Sequence, residues 1–280
     1  MIGVSFYLND PLAERRLAEA KAKGVTRAFT SLHIPEESGD LANRAKALLQ
    51  AAGELKMEVY ADVSYRTPRH LGMGDLEELN SLGVAGLRLD DFFDHETMVR
   101  LAKQFRIALN ASILFEGDLL RLMDRGIEAD KLIAWHNFYP RRETGLDETF
   151  FRAQCDLFRW YGIRVAAFVP GRGEKRGPLF EGLPTLEKHR DLDPFVAAVE
   201  LFRDGVADVY VGDPDPGEGL LEQLVAYDTH RVMPLRIHTT CLPSGEYRPR
   251  PDFARDVLRL MDTRSTVPVP PVNTVARPAG

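Results

Sequence analysis

Two carboxylates frame the chemistry this sequence offers. Asp62 stands near the end of the apolar run Glu58–Val63, and Asp90 ends the run Gly86–Asp90. One protonated and one ionised carboxyl group facing a common point is the requirement of glycoside hydrolysis, with an acid on one side and a nucleophile or base on the other. Glu143 and Glu187, in polar stretches further along, offer wider pairings with Asp90. Around these acids lie groups suited to hydroxyl, amide and anionic partners: His33, Asn110, His136, Asn137, Arg141, Arg176, His189 and Arg190. Arginine grips carboxylates and phosphates with a bidentate fork, and glycine lets backbone N–H groups approach an anion, so Arg172, Lys175 and Arg176 beside Gly171, Gly173 and Gly177 read as an anion clamp. Structural alternatives accompany each reading. An aspartate after a strand caps the next helix, Arg88 and Asp90 two apart form an ion pair, and His136 beside Trp135 is a hydrogen-bonded core histidine.

The elements that must position these residues alternate. Short apolar runs predict strands over 2–7, 26–33, 58–63, 86–90, 107–111, 132–138, 164–169 and 208–212. Between them are helical segments with their own punctuation. Asn9 or Asp10 precedes Pro11 and Gly24 follows the first helix; Leu41, Ala45, Leu48, Leu49 and Ala52 share a face before Gly53; Asp147 precedes Phe151, Cys155 and Phe158; and Asp193-Pro194 opens a helix that ends before Gly205. Eight such units predict an α/β chain closed as a (β/α)8 TIM barrel, with an open doubly wound sheet as the alternative. In a barrel these polar residues fall at the C-terminal strand ends and the following loops, where barrel enzymes work. Beyond the barrel the spacing predicts a further helix over 252–261. The expected organisation is a barrel with its C-terminal extension over 1–265 and a proline-rich strap over 266–280.

The composition excludes several classes. Hydrophobic residues at 44% supply a core, and a formal charge of -6 argues against nucleic acid as a partner, since phosphate backbones are met by unopposed lysine and arginine. Two cysteines, Cys155 and Cys241, make no disulfide framework, and no basic leader or spanning apolar run stands in the sequence, so a cytoplasmic protein with no membrane partner is expected. No strand end carries a Schiff-base lysine, paired histidines do not follow the first strand, and flavin, P-loop and dinucleotide signatures are absent. Neither a metal nor another cofactor is expected. What remains suits a sugar.

Five strings, "FTSLHIPE" at Phe29–Glu36, "LRLD" at Leu87–Asp90, "LNAS" at Leu109–Ser112, "WHNFYPRRETGL" at Trp135–Leu146 and "RGPLFEGLPTLEKHR" at Arg176–Arg190, resemble the 6-phospho-N-acetylmuramidase family in order and over nearly the whole chain. The resemblance implies cytoplasmic hydrolysis of the β-1,4 bond in N-acetylmuramic acid 6-phosphate–N-acetylglucosamine, a step of peptidoglycan sugar recycling in bacteria. It also implies a barrel followed by a small cyclophilin-like β domain. "PPVNTVARPAG" at Pro270–Gly280 is similar to the family's linker, so the sequence is expected to lack that second domain. The stretch from His238 to Asp252 is longer than the family's pattern, and Asp91 stands where an aromatic is commoner. On this resemblance Asp62 and Asp90 are the leading acid pair. Adjacent strands about 4.8 Å apart suit a retaining separation of about 5–5.5 Å, whereas Asp90 with Glu143 or Glu187 suits inversion, and the substrate's acetamido group is a third route. Arg141, Arg176 and Arg190, helped by His136 and His189, are assigned to the 6-phosphate and lactyl carboxylate, while Asn110 and Asn137 meet hydroxyl or acetamido groups. A metal-dependent sugar-phosphate isomerase or epimerase and a non-catalytic sugar-phosphate binder are the other readings of the same barrel.

Overall fold

In the computed structural model the described residues are 1–33, 39–89, 93–234, 245–252 and 254–261. Eight strands form one closed barrel: β1 (Ile2–Ser5), β2 (Arg27–Ser31), β3 (Glu58–Val63), β4 (Val84–Leu89), β5 (Arg106–Asn110), β6 (Leu132–Trp135), β7 (Arg164–Val169) and β8 (Asp208–Val211). Every neighbouring pair is parallel, and β8 closes on β1. The intervening helices are α1 (Ala13–Ala22), α2 (Gly39–Glu54), α3 (Thr67–Leu71), α4 (His95–Leu101), α5 (Glu116–Met123), α6 (Glu148–Trp160), α7 (Pro194–Arg203) and α8 (Leu220–His230). The chain is therefore a (β/α)8 TIM barrel, and the open sheet is excluded. Among the described residues no helix is long and apolar enough to cross a membrane.

Local chemistry sets most boundaries. Asp147 accepts the N–H groups of Thr149 and Phe150, and Asp193 those of Phe195 and Val196, so α6 and α7 start where their caps predict. Asp10 instead accepts the Leu12 N–H in a turn, and α1 begins three residues later than its cap signal. Strands β1, β2 and β6 end two or three residues earlier than predicted, at Ser5, Ser31 and Trp135, and β5 and β8 one residue earlier, at Asn110 and Val211. Tyr7 and Phe138 continue the apolar run, but their rings face the Arg176 guanidinium instead of extending the sheet.

The strand period of two divides the side chains cleanly. Phe29, Tyr60, Ala108, Ile133, Trp135, Ala166, Phe168 and Tyr210 point inward as one cluster, with Trp135 centred 4.4 Å from Tyr210 and 5.2 Å from Tyr60. Gly3 and Gly86 make room for the two tyrosines: a Cβ there would lie 2.2 Å and 2.4 Å from their rings. Below this plug, at the N-terminal end, Arg27 bridges Asp208 and Glu58 at 2.8 Å each, and Arg164 and Arg106 complete the pairs. The outward residues of the strands meet the helices in the main core.

The chain divides into two compact units, Met1–Met233 and Pro234–Gly280. In the second, the sequence predicts a helix over 252–261, but the described residues there form none. An isolated antiparallel bridge joins Pro249 to Leu260 instead, and Asp252 is held by Arg250 and Arg259. Val257 and Leu258, two apolar residues of that segment, are exposed and do not pack a helical face into a core.

Asp208 is 1% exposed and neutralises Arg27 from inside the barrel floor. Asp208→Asn is expected to cost about 3 kcal/mol, the scale for stranding one member of a buried pair, as measured by urea unfolding. Loss of less than about 0.5 kcal/mol would show that the floor network is not needed.

Candidate active site

The alternation that places Tyr60, Gly86 and Trp135 inside the barrel brings Asp62, Arg88 and Asn137 to the inner face of its C-terminal mouth. Asp62 and Arg88 are register partners on β3 and β4. The Arg88 guanidinium donates from Nη1 to Asp62 Oδ1 at 2.6 Å and from Nη2 to Asn137 Oδ1. These three residues, with Phe138 and Phe168, line a cavity of about 210 Å³. Its floor is aromatic and its polar groups stand together on one arc, the arrangement of a small-molecule site.

Asn137 is held from both sides of its backbone. Its N–H donates to Ser112 Oγ at 3.0 Å, and its carbonyl accepts the Thr185 hydroxyl at 2.9 Å. Thr185, fully buried, in turn accepts the Phe168 N–H at 2.9 Å. The loops after β6 and β7 are joined further by Tyr139 N–H to Pro184 O and Leu146 N–H to Thr185 O, both 2.9 Å.

Arg176 lies at the side of this cavity. Its guanidinium carbon is 4.1 Å from the centre of the Tyr7 ring and 5.6 Å from that of Phe138, and among the described residues no carboxylate pairs with it. The loop after β7 is held at this point by Asp213, two residues beyond β8, whose two oxygens accept the N–H groups of Gly171 and Arg176 at 2.9 and 3.0 Å. Burial pushes the Asp213 carboxyl up, and these amides and Lys175 pull it back in part. Tyr7 donates its hydroxyl to Gly212 O at 2.5 Å, and burial pushes its phenol well above the usual range, so it is a neutral ring under a cation.

The other expected site residues are placed elsewhere. Glu187 and Arg190 grip each other through two contacts of 2.7 Å. Arg190 also donates to the carbonyls of Tyr139, Arg141, Glu181 and Gly182, and Glu187 accepts the N–H groups of Glu143 and Gly145. Arg190 hydrogen bonds hold the Glu187 carboxyl at about 2, so this pair braces the two loops as permanent charges. His136 points outward from β6, between Ser112 Oγ at 3.5 Å and Cys155 Sγ at 3.7 Å, against Phe151. His189 is buried against Glu200 of α7 at 3.1 Å, and burial lowers its imidazole. Asn110 folds its side-chain oxygen onto the Ser112 N–H at 3.1 Å. His33, Arg141 and Glu143 are exposed. Asp90, Asp91, His238 and Cys241 lie outside the described residues. Among the described residues no group of three His, Cys, Asp or Glu side chains is placed to hold a metal ion.

Arg88, Tyr7, Phe138 and Thr185 were not among the expected site residues. Arg88 and Tyr7 carried the signal, each standing an even number of residues from an inward-facing neighbour, Gly86 and Gly3. Thr185 carried none, because its role depends on where the loop after β7 returns.

Residues 2–226 match the family model described as 6-phospho-N-acetylmuramidase, N-terminal. Among solved structures, a conserved protein of unknown function from Enterococcus faecalis is 38% identical with a TM-score of 0.74, covering 83% of this chain and 67% of that one. An uncharacterized B. cereus protein is 30% identical with a TM-score of 0.66, covering 79% of this chain and 63% of that one. The chain thus spans about two thirds of the length of these two similar structures. Dihydropteroate synthase from Thermus thermophilus, 18% identical with a TM-score of 0.52 over 80% of this chain and 93% of its own, shares the fold. No curated protein matches.

Burial pushes the His136 imidazole down to about 3, and an unfolded histidine titrates near 6.5. The unfolded chain therefore binds more protons between these values, and stability is expected to fall as pH drops below about 6.5. Chemical unfolding at pH 7 and pH 5 checks this: His136→Gln is expected to flatten the pH dependence, and an unchanged slope would assign it to other groups.

Proposed function

The chain belongs to the 6-phospho-N-acetylmuramidase family, and from that membership we propose that it is a glycoside hydrolase acting on N-acetylmuramic acid 6-phosphate–N-acetylglucosamine. The observation that supports this most is the pairing of two features at one mouth: a hydrogen-bonded row, Asp62–Arg88–Asn137, on a cavity of about 210 Å³, and beside it a guanidinium, Arg176, with no carboxylate partner among the described residues. The first suits a sugar ring and the second suits its phosphate.

In this reading the sugar bearing the phosphate enters the cavity, its 6-phosphate takes the Arg176 fork, and the bond to be cut lies over Asp62. The Arg88 guanidinium stabilises negative charge on Asp62, so Asp62 is the ionised partner, acting at C1 as nucleophile, as base for a water, or as the group that supports the acetamido oxygen. With Asp62 ionised, the other member of the pair expected from the sequence, Asp90, two positions along from Arg88, takes the role of the acid that protonates the departing oxygen. Asn137 holds Arg88 and offers its amide nitrogen to a hydroxyl or acetamido group. Arg141 and Glu143, exposed on the loop after β6, are available to the lactyl carboxylate and to a hydroxyl. Glu187 and Arg190 act through the loops that they brace, and His136 and His189 through packing. Peptidoglycan sugar recycling in the bacterial cytoplasm is the proposed setting.

Incubation of the folded protein with the phosphorylated disaccharide, followed by mass spectrometry, is expected to release N-acetylglucosamine. Asp62→Asn is expected to lower kcat/KM by about a thousandfold or more, and Arg176→Met by about a hundredfold on the phosphorylated substrate alone. No turnover would overturn the glycosidase reading, and equal rates on phosphorylated and unphosphorylated disaccharides would overturn the Arg176 assignment.

A further inference from the structure

Two exposed aromatic side chains belong to loops that follow opposite strands of the barrel. Tyr65, 64% exposed, follows β3, and Phe180, 62% exposed, follows β7. In a closed barrel of eight strands in sequential order, β3 and β7 are four apart and face each other across the axis. Each ring adjoins a different part of the site. Tyr65 is three residues beyond Asp62, and Phe180 donates its N–H to the carbonyl of Arg176 at 3.2 Å.

Both rings are mounted on rigid turns. Ser64 and Thr67, both buried, close the Tyr65 turn: Ser64 N–H donates to Thr67 Oγ1 at 2.9 Å, and Arg66 N–H to Ser64 Oγ at 3.2 Å. The Arg66 guanidinium lies 5.4 Å from the Tyr65 ring centre. On the other rim, Asp213 anchors the loop at Gly171 and Arg176, and Arg190 anchors it at the carbonyls of Glu181 and Gly182. Between these anchors Phe180 has φ 56°, a left-handed conformation that a bulky residue adopts only where its surroundings enforce it. Its ring folds toward Gly177, where a Cβ would come within 3.1 Å of the ring tip. A conformation this unfavourable presents Phe180 to solvent beside the anion-holding arginine instead of burying it.

Resting on the proposed function, we infer that the two rims divide the disaccharide, with Phe180 as the apolar platform for the phosphorylated sugar held by Arg176 and Tyr65 as the platform for the leaving sugar. Sugar rings present C–H faces that pack on aromatic rings, and the opposed rings then define a cleft running across Asp62. Stacking selects for a second ring on the Tyr65 side, so this rim sets preference for a disaccharide over a simple phosphorylated sugar.

The test uses the whole protein and two probes, N-acetylmuramic acid 6-phosphate by calorimetric titration and the phosphorylated disaccharide by titration and turnover. Phe180→Ala is expected to weaken binding of both about tenfold. Tyr65→Ala is expected to weaken disaccharide binding about five- to tenfold and leave the monosaccharide within about twofold, while Tyr65→Trp retains both. Trp160→Ala, an exposed ring at the C-terminal end of α6, serves as the control that changes neither. Unchanged binding in both rim variants, or equal weakening of the monosaccharide by both, overturns the division. Absence of wild-type turnover with binding and its variant pattern retained would overturn the hydrolase reading alone.

Discussion

A guanidinium that is 4% exposed at the mouth of an apolar barrel is the constraint from which the rest of the site follows. Arg88 gives up water on entering that position, and only good geometry with opposite charge and hydrogen-bond acceptors offsets the penalty. Asp62 supplies the charge and Asn137 the second acceptor. Asn137 sits just past the end of β6, where ladder bonds no longer hold the backbone, so the hydroxyls of Ser112 and Thr185 hold it instead. Thr185 is in turn fixed to Phe168 on β7. One buried charge therefore ties strands β3 to β7 into a single rigid arc, the preorganisation that the role proposed for Asp62 requires.

The two ends of the barrel use charge differently. At the floor, Arg27, Glu58 and Asp208 satisfy one another beneath a layer of Tyr60, Trp135 and Tyr210 that fills the interior. That layer leaves the mouth as the side where a ligand reaches inward-facing polar groups. There, two arginines of the same loop take opposite fates. Arg190 spends its donors on Glu187 and four backbone carbonyls, and becomes part of the scaffold. Arg176 is supported by the faces of Tyr7 and Phe138, which stabilise a cation without neutralising it. In a protein of net charge -6, Arg176 is thus a cation with no carboxylate partner among the described residues, the feature that the proposed function gives to a phosphate.

The fold was legible because its strands are short apolar runs and its helices carry explicit caps, as at Asp147 and Asp193. The inward positions of Asp62 and Asn137 followed from the same alternation. That alternation also contained the answer for His136: with Trp135 inside, its neighbour must face the helices, and burial beside Phe151 and Cys155 keeps it neutral. The Glu187–Arg190 brace was less accessible, since most of its partner groups are backbone carbonyls and amides brought close only when two loops meet. The segment 252–261 shows the opposite failure, a helical spacing whose Val257 and Leu258 stay exposed, with arginine contacts to Asp252 among the described residues instead.

The central claim is that one sugar and its phosphate occupy the Asp62 cavity and the Arg176 fork together. A crystal structure of the Asp62→Asn protein with N-acetylmuramic acid 6-phosphate tests this directly. The expected result is a sugar ring within hydrogen-bond distance of the residue at position 62 and of Asn137, with its phosphate on Arg176. A phosphate bound at another surface, with Arg176 still stacked on Tyr7 and the cavity holding only water, would contradict it.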